Sequence, residues 1–445
     1  MRVLAVPPVG GVPCSAMPEA ASKQELQASG NEVRALSRLA LDELSGIPRG
    51  IGQIQRGIAR RAFWAVGPLG RPVKIVHDGV TSGVYAALDA GGSLLGRAAE
   101  EALERRGVGD GITLSSTRPG SALVGALNGL IGDELERTGS ELHQPASIRV
   151  DGEPVALDPG SVAARFPDAT PWPVVFVHGL MVTEHSWSFG AGPDGVTYGS
   201  RLAGDLGATP VYVRYNSGRH VSENGRSLDE LLEALMAAWP VEVEQIALVG
   251  HSMGGLVARS AAHQGSLAER SWIGRVRHVV SLGTPHMGAP LEQAVHVASA
   301  ALNALPETRP FGAFLRRRSS GIRDLRQGSL VDEDWQGRDP ETLRAAACRE
   351  VPLLDGATHC FVSAAVTRGE RHPVGRLVGD CLVLVPSASG RGRTRRIPFR
   401  AEHGAHVAPA HHFALLNHPR VYENLRDWLA TAPHELEAGA GATAP

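Results

Sequence analysis

From residue 173 onwards, short runs of apolar residues recur along the chain and end in glycine or polar turn residues. Runs of this length, rich in valine and bounded by turns, are typical of strands buried on both faces. Amphipathic spacing from Ser222 to Trp239 predicts an intervening helix, with Asn224 or Ser222 near its cap. Strands that alternate with helices predict an α/β fold with a doubly wound, mostly parallel sheet. The predicted strands lie at 173–179, 210–216, 244–250, 276–283 and 359–366.

The first part of the chain, residues 1–145, shows helical spacing and almost no strand pattern. Helices are predicted near 81–106 and 122–138, where apolar residues recur on one helical face. Two short β-prone runs at 147–150 and 153–157, divided by an Asp-Gly pair, then predict a hairpin. We therefore expect a helical accessory region of unknown role at 1–145, a second domain at 146–433 and a disordered tail of small residues at 434–445.

Residues 47–60 form a basic amphipathic stretch within this first part. Four isoleucines follow one another at spacings of four, three and four residues, and three arginines fall on the opposite helical face. A helix of this kind can contact an anionic membrane or granule surface. The alternative is that the isoleucines dock on the protein's own core. Three glycines in the same stretch favour the alternative, because glycine weakens a free-standing helix.

Charge and hydropathy narrow the choice of partner and compartment. The chain carries 44 Lys and Arg against 46 Asp and Glu, so its overall charge does not indicate a nucleic-acid partner. Prolines interrupt the apolar N-terminus, which makes it a poor signal peptide. A run of about 18 apolar residues, as a membrane span requires, does not occur. We therefore expect a cytoplasmic protein.

The predicted strand at 244–250 runs into Gly250-His251-Ser252-Met253-Gly254, and small and apolar residues suited to a helix follow. A Gly-x-Ser-x-Gly pattern between a strand and a helix predicts a nucleophile elbow, in which a sharp turn holds the serine at the carboxyl edge of the sheet. Such a turn strains the serine backbone, and flanking glycines let strand and helix approach closely. Ser252 is therefore the expected nucleophile, and a plain glycine turn is the alternative.

Five motifs follow one another along the last three-fifths of the chain. They are Val-His-Gly-Leu at 177–180, Gly-His-Ser-Met-Gly-Gly at 250–255, Leu-Gly-Thr-Pro-His-Met-Gly-Ala-Pro at 282–290, Gly-Asp-Cys-Leu-Val at 379–383 and His-Phe-Ala-Leu-Leu-Asn-His-Pro at 412–419. On these motifs, residues 171–429 resemble the α/β-hydrolase superfamily, and within it the lipase-like and PGAP1-like serine esterases. The resemblance implies the α/β-hydrolase fold and the chain order Ser, acid, His. The excursion at about 285–354 is expected to form a lid.

The resemblance places the catalytic acid after the strand that follows the lid, and Asp380 occupies that position. A carboxylate there accepts the imidazole N–H, sets its tautomer and stabilises the imidazolium. Asp355 is the competing candidate, but it precedes the strand and should lie at the opposite end of the sheet. An aspartate in an ordinary turn is the structural alternative.

Several histidines crowd one segment near the C-terminus. The resemblance places the general base directly before an aromatic residue and two leucines that start the last helix. This position selects His412, with its neighbour His411 as the alternative. Phe413, Leu415 and Leu416 should bury against the sheet and so orient His412.

The oxyanion hole requires two backbone N–H groups directed at the developing negative charge. Met253, directly after the nucleophile, is one expected donor. The resemblance points to Leu180, in the turn after the Val-His-Gly strand end, as the other donor. His178 in the same motif is expected to form structural hydrogen bonds, and His418 is expected to order the start of the last helix.

A metal site is disfavoured. The histidine cluster could ligate zinc, but no cysteine pair or acidic ligand set completes such a site. The four cysteines also lack metal-ligand spacing. Cys348 and Cys360 could form a disulfide in an exported protein, whereas free thiols fit a reducing cytoplasm. We expect neither a metal nor an organic cofactor.

These inferences predict a serine hydrolase that cleaves carboxylic esters of small molecules or lipids. Ser252 would attack the carbonyl, His412 would carry the proton, and water would cleave the acyl-enzyme. An acyltransferase or a polyester depolymerase could use the same triad. A non-catalytic hydrolase-like scaffold is the alternative from another class, and the intact Ser-Asp-His set argues against it. The sequence does not name the substrate, its acyl chain length or the oligomeric state.

Overall fold

A computed structural model describes Glu32, Ala35, Ser115 and residues 117–289, 318–339, 348–368, 375, 378–392 and 395–431. Eight strands of this part form one sheet. They are β1 Ser147–Val150, β2 Glu153–Pro154, β3 Pro173–Val177, β4 Thr209–Arg214, β5 Ile246–His251, β6 Val276–Leu282, β7 Thr358–Ala364 and β8 Gly404–Val407. The strand order is β2-β1-β4-β3-β5-β6-β7-β8. Strands β3 to β8 run parallel, and β1 pairs antiparallel with β2 and β4. The predicted mostly parallel sheet is confirmed.

The five predicted strands and the predicted hairpin are all present, although β2 is shorter than expected. Strand β8 was not predicted. Its four residues include only two apolar side chains, Ala405 and Val407, so its hydrophobic pattern is too weak to indicate a strand. Its pairing with β7 is a tertiary contact between segments about 40 residues apart.

Helices cover both faces of this sheet, so the fold is doubly wound. They are α1 Arg118–Arg137, α2 Pro159–Arg165, α3 Tyr198–Leu206, α4 Val221–Ala238, α5 Met253–Leu267, α6 Ser320–Asp324, α7 Val385–Ala388 and α8 Pro419–Ala430. Alternate side chains of a strand point to opposite faces. Val175 and Val177 of β3 therefore join one buried cluster with α4 and α5. Val174 and Phe176 join a second cluster with α3 and α8.

Helix α4 begins one residue earlier than predicted, and its N-cap residue is His220, two residues before Ser222. Neither Ser222 nor Asn224 caps it, because both lie inside the helix. The side chain of Asp324, about 100 residues away in the chain, accepts a hydrogen bond from the Val221 N–H at 2.8 Å. Local sequence cannot reveal a cap that a distant segment supplies.

Helix α1 corresponds to the predicted helix at 122–138 and packs against the loops at the carboxyl edge of the sheet. The hydroxyls of Ser121 and Thr183 lie 2.9 Å apart, which joins α1 to the loop after β3. None of the described helices is both long and apolar enough to cross a membrane. The basic stretch at 47–60, the predicted helix at 81–106 and the predicted tail at 434–445 lie outside the described residues.

A buried ion pair joins the end of β4 to the loop after β3. Arg214 is fully buried and makes two hydrogen bonds to the carboxylate of Glu184, one of them 2.6 Å long. Another guanidinium nitrogen donates to the Ser115 carbonyl at 2.7 Å. Burial by itself raises the pKa of Glu184, but Arg214 outweighs that effect and holds the pKa below its usual value. The pair is therefore charged, and both carboxylate oxygens accept hydrogen bonds from Arg214.

We predict that Arg214→Met destabilises the protein by about 3–5 kcal/mol, because it leaves the Glu184 carboxylate buried without its cation. The matched control is Arg137→Met, which breaks an exposed pair with Glu134 and should leave the free energy of unfolding nearly unchanged, because solvent screens exposed pairs. Urea denaturation followed by circular dichroism measures both changes. Equal destabilisation by the two variants would contradict the assigned importance of the buried pair.

Candidate active site

Ser252 lies in the sharp turn between β5 and α5 at the carboxyl edge of the sheet. Its φ of 55° is unusual for a residue with a side chain. The Ser252 N–H donates to the Leu282 carbonyl at 2.8 Å, which ties the turn to the end of β6. A Cβ on Gly250 would lie 2.5 Å from the Cα of Gly255. Only glycine permits this close approach of strand and helix, as the pattern predicted.

Asp380 follows β7 and is almost fully buried. Its Oδ1 accepts hydrogen bonds from the backbone N–H groups of Leu382 at 3.0 Å and Val383 at 2.7 Å. The flanking Gly379 and Cys381 have φ values of 60° and 88°. This tight turn directs backbone donors at the carboxylate, so Oδ1 is held in place and Oδ2 is available to a further donor.

His412 is that donor. Its Nδ1 lies 2.8 Å from Asp380 Oδ2, and the side chains are 3% and 1% exposed. The His412 backbone N–H also donates to the Asp380 carbonyl at 2.9 Å. Because an ionised carboxylate can only accept, Nδ1 carries the hydrogen and Nε2 keeps its lone pair when the ring is neutral. Nε2 is buried and makes no hydrogen bond within the described structure.

The Leu282-Gly283 segment lies between the serine turn and the histidine. Leu282 accepts the hydrogen bond from Ser252, as above. Gly283 has a φ of 59°, and a Cβ there would lie 3.3 Å from both Asp380 Oδ2 and His412 Cε1. The His412 imidazole therefore packs on Gly283. This glycine directly follows Leu282, which accepts the hydrogen bond from Ser252. The structure brings Ser252, Asp380 and His412 to one place.

His251 is a further residue of the site that the sequence reasoning did not single out. It is buried, and its Nε2 donates to the His412 carbonyl at 3.3 Å. The two rings lie 4.7 Å apart. Burial lowers the pKa of His251 well below its usual value, and the neighbouring His412 lowers it further. His251 is therefore neutral and links the serine turn to the histidine loop. Its place in the Gly-x-Ser-x-Gly pattern was the available signal.

The two predicted oxyanion donors belong to segments that lie next to Ser252. Met253 begins α5, so its N–H is one of the helix amides without an intrahelical carbonyl. Leu180 lies in the turn 179–183, which we call the oxyanion turn. A Cβ on Gly179 would lie 3.0 Å from Ser252 Cβ, so this turn passes directly beside Ser252. The Met181 N–H is engaged, because it donates to Ser217 Oγ at 3.1 Å.

Comparisons with known proteins found a family model and a relative that match part of the chain. The family model described as the PGAP1-like alpha/beta domain matches residues 168–310. A triacylglycerol lipase of Burkholderia plantarii is 32% identical over 142 residues. The described part of this chain has an α/β-hydrolase fold, and part of its sequence is similar to a lipase. The match covers 31% of the chain and 36% of the relative, so the chain spans about a third of that lipase's length.

Solved structures of similar proteins include other esterases and lipases. The propeptide form of the Bacillus licheniformis lipase BlEst2 is 19% identical, with a TM-score of 0.37 over 58% of this chain and 50% of that chain. The phospholipase PlaB of Legionella pneumophila is 16% identical, with a TM-score of 0.37 over 60% of this chain and 61% of that chain.

Three further histidines, His411, His418 and His178, accept hydrogen bonds from backbone N–H groups. His411 is exposed, and its Nδ1 accepts from the Ala414 N–H at 3.2 Å. His418 caps α8 by accepting from the Arg420 N–H at 3.2 Å, as expected of a residue that orders a helix start. His178 is fully buried, and its Nε2 accepts from the Tyr215 N–H at 3.3 Å. Burial lowers the pKa of His178 to about 4, so this ring is neutral near pH 7.

The surroundings of His412 differ from the prediction in two ways. Leu415 and Leu416 are buried, but Phe413 is 40% exposed. The segment 412–415 is also a 3-10 turn and not the start of the last helix, which begins at Pro419. Leu415 and Leu416 supply the packing beneath the turn. Phe413 points outwards because consecutive side chains of a tight helical turn diverge by 100–120°.

Asp355, the competing acid, is exposed and precedes β7, whereas Asp380 follows it. The two aspartates therefore lie at opposite ends of that strand. Among the described residues, no three His, Cys, Asp or Glu side chains are grouped so as to hold a metal ion. Cys348, Cys360 and Cys381 are free thiols.

Part of the predicted lid, residues 318–339, packs closely on the hydrolase domain. The Gly321 N–H donates to the Gly218 carbonyl at 3.0 Å. The Trp335 ring stacks on His220 with 3.8 Å between ring centroids. Residues 290–317 and 340–347 of the predicted lid lie outside the described residues. The lid as a whole stays a prediction.

We predict that His412→Gln abolishes ester turnover while His411→Gln keeps most of it. Glutamine retains much of the bulk but cannot act as a base, and only the His412 ring contacts Asp380. Steady-state hydrolysis of a p-nitrophenyl ester by the two purified variants provides the measurement. The opposite pattern of loss would transfer the role to His411.

Proposed function

We propose that this protein is a serine hydrolase that cleaves carboxylic esters through an acyl-enzyme. The observation that carries the proposal is the buried Asp380–His412 pair. His412 Nε2 has no hydrogen-bond partner in the described structure, and the adjacent Cε1 packs on Gly283, next to the residue that bonds Ser252. A buried, unpaired ring nitrogen is costly in a structural role. In a general base it is the atom that must be available for the serine proton.

In the proposed first half-reaction, Ser252 Oγ attacks the ester carbonyl carbon as His412 Nε2 takes its proton. The backbone N–H groups of Met253 and Leu180 stabilise the oxyanion of the tetrahedral intermediate. Asp380 stabilises the imidazolium without being protonated. The carbon–oxygen bond to the alcohol then breaks, and His412 returns the proton to the leaving oxygen. The acyl group remains on Ser252.

In the second half-reaction, water takes the place of the alcohol. His412 removes a proton from the water as its oxygen attacks the acyl carbon. Collapse of the second intermediate releases the carboxylic acid and returns the proton to Ser252. Apart from the ester, this chemistry uses groups of the chain and one water molecule.

Lipid or other apolar esters are the proposed substrate class. The similarity to a protein named triacylglycerol lipase supports this class. An exposed aromatic pair next to His412 supports it as well. The rings of Phe189 and Phe413 lie 6.4 Å apart, they are 45% and 40% exposed, and Phe413 follows His412 directly. Exposed aromatic rings beside a site offer apolar area to an acyl or alcohol chain.

We predict that a fluorophosphonate probe labels Ser252 and that Ser252→Ala loses both the labelling and the hydrolysis of p-nitrophenyl esters. The matched control is Ser266→Ala, which removes an exposed serine from the same helix and should leave both readouts unchanged. Esters of graded acyl length define the chain preference. Hydrolysis that survives Ser252→Ala would contradict the proposal, and a complete absence of turnover in the wild type would favour the scaffold.

We predict that Asp380→Asn lowers kcat by about four orders of magnitude with little change in fold. The asparagine NH2 group would face Nδ1 as a donor and favour the wrong imidazole tautomer. Asp355→Asn is the matched control, because that carboxylate is exposed at the other end of β7, and it should retain near-normal turnover. Steady-state kinetics on one ester give kcat for both variants. Near-normal kcat for Asp380→Asn would exclude Asp380 as the acid.

A further inference from the structure

The oxyanion turn is held by contacts from outside the sheet. On one side, Ser217 Oγ accepts the Met181 N–H at 3.1 Å. At the end of the turn, the hydroxyls of Thr183 and Ser121 lie 2.9 Å apart. Met181 itself has a φ of 62°, an unfavourable conformation for a residue with a side chain. A strained turn of this kind keeps its geometry only while its surroundings prevent relaxation.

Helix α1 provides the closest of these surroundings. A Cβ on Gly129 would lie 2.8 Å from both the backbone N and the Cα of Met181. A Cβ on Gly125 would lie 2.8 Å from Thr183 Cγ2 and 3.2 Å from the Val182 carbonyl. At these two glycines the α1 backbone therefore packs directly against the oxyanion turn, with no α1 side chain in between.

The same helix has a kink at Ile131, and neighbouring segments hold it on both sides of that kink. A Cβ on Gly218, in the loop after β4, would lie 2.6 Å from the Gly132 nitrogen of α1. The Asn216 side chain donates to the Gly132 carbonyl at 2.8 Å. Ser319 Oγ donates to the Gly129 carbonyl at 2.6 Å. Helix α1 is thus held by packing and hydrogen bonds between the loop after β4 and residues 319–320.

We propose that helix α1 is a positioning element of the active site, which holds the Leu180 N–H at the distance that oxyanion binding requires. The proposal rests on the serine hydrolase function proposed above. Helix α1 lies outside the segment that matches the PGAP1-like domain, so a site of that domain would depend on a chain segment from outside it. Oxyanion donors act at 2.7–3.1 Å, so displacement of the turn by part of an ångström weakens them.

Three glycine-to-alanine variants test the proposal. Gly129→Ala places a methyl group against the Met181 backbone. Gly125→Ala is milder, because its nearest neighbour is the Thr183 side chain. Gly204→Ala in α3 is the matched control, since nothing lies within 4 Å of its added methyl group. Alanine is the better helix former at all three positions, so a loss at 129 or 125 cannot come from helix propensity.

Two readouts are measured on each full-length variant after its melting curve has shown that it folds. The first is kcat and KM for one p-nitrophenyl ester. The second is amide hydrogen exchange of the peptide that covers Leu180 to Glu184. We expect Gly129→Ala to lower kcat by at least tenfold, towards the 10²–10³-fold loss typical of a missing oxyanion donor. We expect KM to stay within about twofold, exchange to accelerate, and Gly125→Ala to show a smaller change of the same kind.

The control should match the wild type in both readouts. A folded Gly129→Ala with normal kcat and normal exchange would overturn the proposal. A lower kcat without faster exchange would also overturn it, because the defect would then lie elsewhere. If the wild type shows no Ser252-dependent turnover, the proposed function fails, and the exchange data still decide whether α1 holds the turn. Should Gly129→Ala fail to fold, Gly125→Ala carries the same test.

Discussion

The backbone conformation of Ser252 is the constraint on which the rest of the site depends. A residue with a side chain at a φ of 55° costs on the order of 1–3 kcal/mol and persists only when its surroundings prevent relaxation. Those surroundings are the buried strand β5, at the middle of the sheet, and α5, which approaches through glycines. Gly254 is so close to β3 that a Cβ would lie 2.5 Å from the His178 carbonyl. Packing of sheet and helix therefore holds the serine turn in its strained form.

The end of β6 connects the serine turn to the Asp380–His412 pair. Leu282 accepts the Ser252 N–H, and the next residue, Gly283, leaves room for the Asp380–His412 pair. Burial of this pair removes competing water, so the hydrogen bond between carboxylate and imidazole is stronger than it would be at the surface. His251 adds a further link between the serine turn and the His412 backbone. The relative position of nucleophile and imidazole is thus set by backbone contacts as much as by the side chains.

The site also depends on contacts from outside the segment that matches the PGAP1-like domain. The loop after β3 is bordered by α1 at the oxyanion turn and by Arg214 at Glu184. Arg214 also bonds the Ser115 carbonyl, and Ser115 in turn donates to Glu32. Segments from the first third of the chain therefore contact the loop that carries one predicted oxyanion donor. Because a buried charge tolerates no missing partner, these segments are linked to the stability of the domain as well.

The sequence by itself determined the parts of this protein that depend on local pattern. Short apolar runs identify β3 to β7 because burial on both faces of a sheet demands apolar side chains. The Gly-x-Ser-x-Gly pattern between a strand and a helix indicates the serine turn because only glycine fits there. The tertiary structure alone decided what depends on contacts across the chain. Asp324 caps α4 from about 100 residues away, β8 forms by pairing with β7, and Phe413 stays exposed while Leu415 packs. The docking of α1 on the oxyanion turn was also decided by the tertiary structure. Its partners lie about 50 residues further along the chain, and no local periodicity encodes contacts at that separation.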